Sequence, residues 1–362
     1  MARISVSVIN DLTGDQRIHR IASTLQEAGH QVTVIGRVLP ESLPLGDRPY
    51  ATHRMKLWFR AGKLFYLEYN LRLFLFLLTH RFDIQNANDL DSLLANFLTA
   101  RLKGRKLVYD SHEYFTEVPE LVHRPATQKV WLWLEQWIFP KLTYAYTVNQ
   151  SIANIYSRLY QVSVGVVRNV PFRRHLIPQR HATPILIYQG ALNLGRGVDL
   201  MIRATKHLPG HQLWIIGKGD VEPELRELTR ELALEDRVIF YGFMPFDQLV
   251  DFTRQAWLGL SLEEDLGGNY HFVSPNKLYD YIQAHVPVLV SDLPEMRAVV
   301  EQHQVGEILP KDERTPDQLA ERIKLFLADK QLYEGYVTAC EQAAGELCWE
   351  KERETLLAFY SL

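Results

Sequence analysis

Short apolar runs alternate with amphipathic stretches along this chain, and the alternation occurs twice. In the first half ISVSVI, HQVTVIGR, FDIQNAN and KLVYDS read as strands, each followed by polar residues. IHRIASTLQEAG reads as a helix closed by Gly29, which suits the left-handed position beyond a helix end. A helical region then spans Gln128 to Arg158, broken at Pro140, and TVNQSIANIY reads as a strand end running into a helix. The second half restarts the pattern. PILIYQG, HQLWIIGKGD, RVIFYGFM, WLGLSLEED and VPVLVSD are strand-like, with GVDLMIRATKHL, EPELRELTREL and PFDQLVDFTRQ as helices between them. Such alternation builds parallel, doubly wound sheets. At 362 residues two cores are expected rather than one. Ligands in these sheets bind beyond the carboxyl ends of the strands, so the loops starting at Asn10, Asn88 and Asp110 are candidate site loops.

Composition removes several classes. Hydrophobic residues make up 47% and charged residues 23%, the balance of a soluble globular protein. A formal charge of -3 lacks the basic excess of a nucleic-acid binder. Cys340 and Cys348 form neither a metal-ligand pattern nor a disulfide framework, so a reducing cytoplasm is expected. The opening MARISVSVIND reads as a strand rather than a signal peptide. The most hydrophobic stretch, Leu57 to Leu78, is interrupted by Arg60, Lys63, Glu68 and Arg72, so no spanning helix is expected. Two readings of it remain: a helix lying on the inner face of a membrane, or one packed within its domain. Its basic residues do not gather on one helical face, and Glu68 and Arg72 form an i,i+4 pair.

The segment Ser274 to Asp292, SPNKLYDYIQAHVPVLVSD, reads as loop, helix and buried strand. Ser274 suits a helix cap and Pro275 a first helical position. Asn276 and Lys277 then fall in the first turn, where free N–H groups favour an anion. A lysine set against the helix dipole points to a strongly negative ligand, with Asp280 available for sugar hydroxyls. An ordinary αβ unit with a surface lysine is the competing reading.

These strings, in their order, resemble the retaining glycosyltransferases of family four, end to end. NDLTGDQRIHRIASTLQEAGHQVTVI, YDSHEYFTEVPEL, YQGALNLGRGVDLMIRA, WIIGKGD, RVIFYGFMP and SPNKLYDYIQAHVPVLVSD carry the likeness. The resemblance implies an α/β protein of the GT-B fold, with two Rossmann-like, doubly wound domains facing across a cleft. It places an acceptor domain at 1–168, a linker at 169–184, a nucleotide-sugar domain at 185–345, and a helix returning to the first domain at 346–362. It implies transfer of a sugar from a nucleotide diphosphate donor, with retention, to a hydroxyl of a glycan, lipid-linked or small-molecule acceptor.

The site residues it implies are carried over position by position. Asp280 corresponds to the glutamate that holds the ribose, one methylene shorter. Glu264 corresponds to the acid facing the donor sugar, with Glu263 and Asp265 as alternatives beside an extended loop. Arg196 and Lys277 correspond to diphosphate contacts, while Ala191 stands where a basic residue is common after Gly190. Gly14, Gly190, Gly217, Phe243, Ser274, Asn276 and Leu278 complete the implied donor site. His112 is implied to approach the transferred sugar, and Asp15 and Arg17 to help bind the acceptor. No cofactor or metal is expected, Asp89-Leu90-Asp91 notwithstanding, since that triplet lacks a nameable third ligand. A sugar-nucleotide epimerase or phosphorylase of the same fold, or a non-catalytic nucleotide- or glycan-binding relative, are the alternatives.

Overall fold

In the computed structural model, which describes residues 1–361 apart from Glu41, Leu43 and His123, the chain divides into two units. One comprises Met1–Asn169 with Glu352–Leu362, the other Val170–Lys351.

The first unit is built on seven parallel strands: β1 (Arg3–Asp11), β2 (Gln31–Val38), β3 (Ala51–Lys56), β4 (Ile84–Asn88), β5 (Lys106–Ser111), β6 (Tyr144–Thr147) and β7 (Val164–Val166). Their order is β3-β2-β1-β4-β5-β6-β7, so the winding reverses between β1 and β4. The loops after those two strands therefore splay apart and leave a crevice. Its helices are α1 (Gln16–Glu27), α2 (Gly62–Thr79), α3 (Asp89–Lys103), α4 (Pro119–Val122), α5 (Pro125–Ile138) and α6 (Gln150–Tyr160).

The end of α1 follows the sequence expectation. Gly29, at φ 86°, and His30 donate their N–H groups to Gln26 and Leu25. Two local readings are corrected. The helical region ending at Arg158 contains strand β6, reached after a tight turn at Phe139–Lys141. Strand β3, a largely exposed edge strand without an apolar run, has no counterpart among the elements expected from the sequence. Near the C-terminus, the Tyr360 hydroxyl hydrogen-bonds Tyr146, and the Phe359 ring lies where a Cβ on Gly165 would stand, 2.5 Å away.

The second unit has six parallel strands: β8 (Ile185–Gln189), β9 (Gln212–Ile216), β10 (Val238–Gly242), β11 (Leu258–Ser261), β12 (Val288–Ser291) and β13 (Gly306–Leu309). The order is β10-β9-β8-β11-β12-β13, which puts the reversal between β8 and β11. Strand alternation sends Leu186 and Tyr188 into one core cluster and Ile185 and Ile187 into another on the opposite face. Burial on both faces is why these strands read as continuous apolar runs. The helices are α7 (Val198–Thr205), α8 (Glu222–Glu231), α9 (Phe246–Thr253), α10 (Gly268–His271), α11 (Asn276–Gln283), α12 (Pro294–His303), α13 (Pro316–Ala328) and α14 (Lys330–Ala344); the last helix, α15 (Trp349–Tyr360), belongs from Glu352 onward to the first unit. Residues 170–184, in the proposed linker, belong to this unit. Gln179 and His181 donate backbone N–H groups to Arg254 and Gln255, and the Arg180 guanidinium holds the carbonyls of Arg254 and His285.

Candidate functional site

The second unit gathers charge at the carboxyl ends of β8 and β11. Beyond β11 the period of two continues, so Ser261 and Glu263 point the same way. Glu263 is buried, and it accepts from the Ser261 hydroxyl at 2.8 Å and from Lys277 Nζ at 2.6 Å. Arg196 Nη1 stands 3.8 Å from the same carboxylate oxygen, Oε1. Burial alone would raise the Glu263 pKa, but Lys277, Arg196 and Ser261 outweigh it and hold the carboxyl below the usual range.

Lys277 is therefore not a surface lysine. It is buried, its ammonium 4.2 Å above the Tyr188 ring. Arg196 lies over Tyr270, and its Nε is buried with no hydrogen-bond partner among the described residues. Arg314, not among the residues expected at the site, clamps the acidic loop by donating to the Leu262 carbonyl at 2.8 Å and to Ser291 Oγ. No sequence signal ties it to that loop, because β12 and β13 lie between them.

Glu264 follows the buried acid. Its N–H donates to Gly195 at 2.8 Å, which ties this loop to the Arg196 loop, and its half-buried carboxylate has no hydrogen-bond partner among the described residues. Asp265 is occupied by His271 and Lys311. Asp280 Oδ2 accepts from Gln189 Nε2 at 3.2 Å, and Gln189 is in turn held by Thr253. Phe243 is 71% exposed just past β10.

Three details of the segment differ from expectation. Pro275, not Ser274, is the cap of α11, and the Ser274 hydroxyl pairs with Tyr279 instead. The Leu278 N–H is already used on the Pro275 carbonyl. Asn276 is left as the exposed first residue of the helix.

Glycine is required where the strand ends crowd together. Gly217 has φ 150°, and a Cβ there would stand 1.8 Å from the Gly190 carbonyl oxygen. Gly190 has φ 140° and its own Cβ would meet Lys277 Cε at 3.2 Å. Gly217→Ala combines a forbidden backbone region with a backbone clash, so we expect a loss of about 3 kcal/mol or more. Thermal denaturation that leaves the transition within a degree of wild type would contradict this packing.

The first unit holds a separate polar cluster at the ends of β4 and β5. Buried Arg17 forks onto Asp110 at 3.0 and 2.7 Å and spends Nη1 on the Val167 carbonyl. Its guanidinium is thus committed to Asp110 and the Val167 carbonyl within the unit. Asp15 caps α1 through the Ile18 N–H and accepts from Asn10, while Gly14 is exposed in the preceding turn. His112 Nε2 lies 3.1 Å from Asp110 and 3.3 Å from Asn88, and Nδ1 lies 3.2 Å from Asp89. Burial lowers the His112 pKa, but Asp89 and Asp110 prevail and push it up to about 9. Asp89 itself carries φ 57° as the first residue of α3, and its carboxylate accepts the His112 N–H at 2.8 Å. A strained non-glycine backbone beside a charged histidine marks this loop as over-determined by its surroundings.

Two parallel sheets with charged loops at their carboxyl ends define a doubly wound class of α/β protein. The family model described as Glycosyltransferase Family 4 matches residues 15–171, and that described as Glycosyl transferases group 1 matches residues 173–342. Alpha-D-kanosaminyltransferase of Streptomyces kanamyceticus is 22% identical over 262 residues, 66% of this chain and 65% of that protein. The match thus spans just under two thirds of that relative's length. Sucrose-phosphate synthase from Thermosynechococcus elongatus superposes with a TM-score of 0.80 at 17% identity, covering 99% of this chain and 98% of that one. Anabaena HepE, solved with UDP and glucose, gives 0.75 at 15% identity over 100% of both chains. At those identities the structures establish the fold. The chain belongs to the family-four type of glycosyltransferase, with the GT-B fold.

Proposed function

We propose that this protein moves a glycosyl unit from a nucleotide diphosphate sugar to a hydroxyl acceptor, with retention. The observation that carries the reading is the sharing of one carboxylate oxygen, Glu263 Oε1, by Lys277 at 2.6 Å and Arg196 at 3.8 Å, while Arg196 Nε lies buried without a hydrogen-bond partner among the described residues. Two cations on one oxygen leave positive charge over, and an unpaired buried donor calls for an acceptor. A diphosphate supplies both. Asn276 at the start of α11 adds the dipole end that favours such a group.

In this reading Arg196 and Lys277 stabilise the charge that grows on the leaving diphosphate as the sugar bond breaks. Asp280, aimed by Gln189 and Thr253, takes the ribose. Glu264, the half-buried loop acid beside Glu263, meets the donor sugar, while Glu263 fixes the two cations. Phe243 and the glycines at Gly190 and Gly217 line the base and phosphate path, and the acceptor binds at the first unit near Gly14 and His112. The leaving phosphate takes the acceptor proton on the same face, so no protein nucleophile is needed.

The test is a thermal-shift screen of UDP-, GDP-, ADP- and dTDP-sugars. A donor at a hundred times its Kd stabilises by about 2.7 kcal/mol, a shift of several degrees. We expect one base to stand out, and Arg196→Ala to raise its Kd about tenfold to a hundredfold with an unchanged apo transition. No stabilisation by any of the four would overturn the reading.

A further inference from the structure

Helix α2 shows two apolar faces where a helix packed on one sheet needs one. Phe65, Tyr69, Leu73 and Leu77 are buried. On the other side Leu64, Leu67, Leu71, Leu75 and Leu78 recur at spacings of three and four and are all exposed, Leu67 at 66%. The stripe continues sideways. α2 meets α5 through Tyr66 and Trp131, and α5 meets α3 through Trp137 and Phe97. Trp133 on α5 is 63% exposed, and Trp58, just ahead of α2, is 82% exposed. A surface of this extent exceeds the scattered apolar residues of an ordinary exterior.

Charge on the three helices is sorted by depth. Their acids face inward or are engaged: Glu68 accepts the N–H groups of Trp58 and Phe59 and pairs with Arg72, Asp89 holds His112, and Asp91 and Glu135 are buried. Their cations Lys63, Arg101 and Lys129 are exposed, as are Arg60 and Lys141 at the margins. This basic rim stands on a chain of net charge -3. Among the described residues no helix is long and apolar enough to cross a membrane.

We infer that the α2–α3–α5 face of the first unit docks flat on a bilayer containing anionic lipid. Leucines and tryptophans enter the boundary between headgroups and acyl chains, and the basic rim meets the phosphates. The two readings of the Leu57–Leu78 stretch are then both met, since one side packs inward and the other stays free for lipid. A second copy is the poorer occupant, because a two-fold interface sets the same basic rim against itself. The inference does not depend on glycosyl transfer.

Vesicle flotation of the full chain, without nucleotide sugar, tests it. Vesicles of phosphatidylcholine mixed with phosphatidylglycerol should carry the protein, and phosphatidylcholine alone should carry much less. Leu67→Glu with Leu71→Glu removes two exposed leucines and should reduce the bound fraction at least about tenfold. Its thermal transition and donor affinity should stay at wild-type values. No flotation on anionic vesicles, or equal flotation of the double variant, overturns the inference. So does a concentration-dependent dimer in sedimentation that the double variant abolishes while vesicles bind neither protein.

Discussion

Lys277→Ala will cost the second unit stability as well as donor affinity. A surface lysine in a phosphate cradle predicts an unchanged fold, but the ammonium sits 2.6 Å from a buried carboxylate. Removing it leaves Glu263 with the Ser261 hydroxyl and Arg196 at 3.8 Å. Breaking one partner of a buried pair typically costs about 3–5 kcal/mol, because the other charge stays behind. For a unit of this size that is on the order of 10 °C in the transition. Turnover should fall about a hundredfold or more, since a cation at a developing charge contributes several kcal/mol.

Glu263→Gln separates the two effects. It removes the charge that needs compensation, so Lys277→Ala placed on it should cost clearly less stability than on wild type. The turnover defect should persist. A folded-state carboxyl held below its usual range also fixes the sign with pH. Its stabilisation is present above the ordinary carboxylate pKa and is lost as pH falls through the lower folded value. Equal stability losses for Lys277→Ala in both backgrounds, read by thermal and urea denaturation, would dissolve the pair as the cause.

The contrast between expectation and structure at this lysine is general. Alternating strands and helices reveal the architecture because each parallel strand must be apolar on both faces, as Ile185–Tyr188 is. Strand β3, exposed on an edge, lacks that pressure and leaves no trace in the sequence. The same holds for roles. Lys277, Arg196 and Asp280 stand out by resemblance, but the depth at which they sit does not. Glu263 and Glu264 are adjacent letters, and only the outward alternation from Ser261 separates the buried anchor from the half-buried acid beside it. Arg17 reads as a loop cation near a ligand. Its partner Asp110 is 93 residues away, a pairing that only the β1–β5 sheet order creates.

His112 will titrate near pH 9, and the stability of the first unit will follow it. Its ordinary pKa is 6.5, and the two flanking carboxylates raise the folded value to about 9. A raised pKa stabilises fully below 6.5, and the gain is lost as pH climbs through 9. The shift corresponds to on the order of 3 kcal/mol. At neutral pH the ring is an imidazolium with Nδ1 donating to Asp89 and Nε2 shared between Asp110 and Asn88. It therefore cannot serve as a general base. Under the proposed reading, a sugar hydroxyl would replace the longest contact, Asn88 at 3.3 Å, and accept a charge-assisted hydrogen bond. Transfer should accordingly decline on the alkaline side with an apparent pKa near 9, and His112→Gln should flatten that alkaline limb and lower turnover about tenfold to a hundredfold. Asp89→Asn removes one of the two raising charges, so the limb should move toward neutral pH. Carbon-bound proton shifts of His112 followed by NMR give the direct reading. A midpoint at or below 6.5 would show that Asp89 and Asp110 do not hold the ring charged, and the donor role would fall with them.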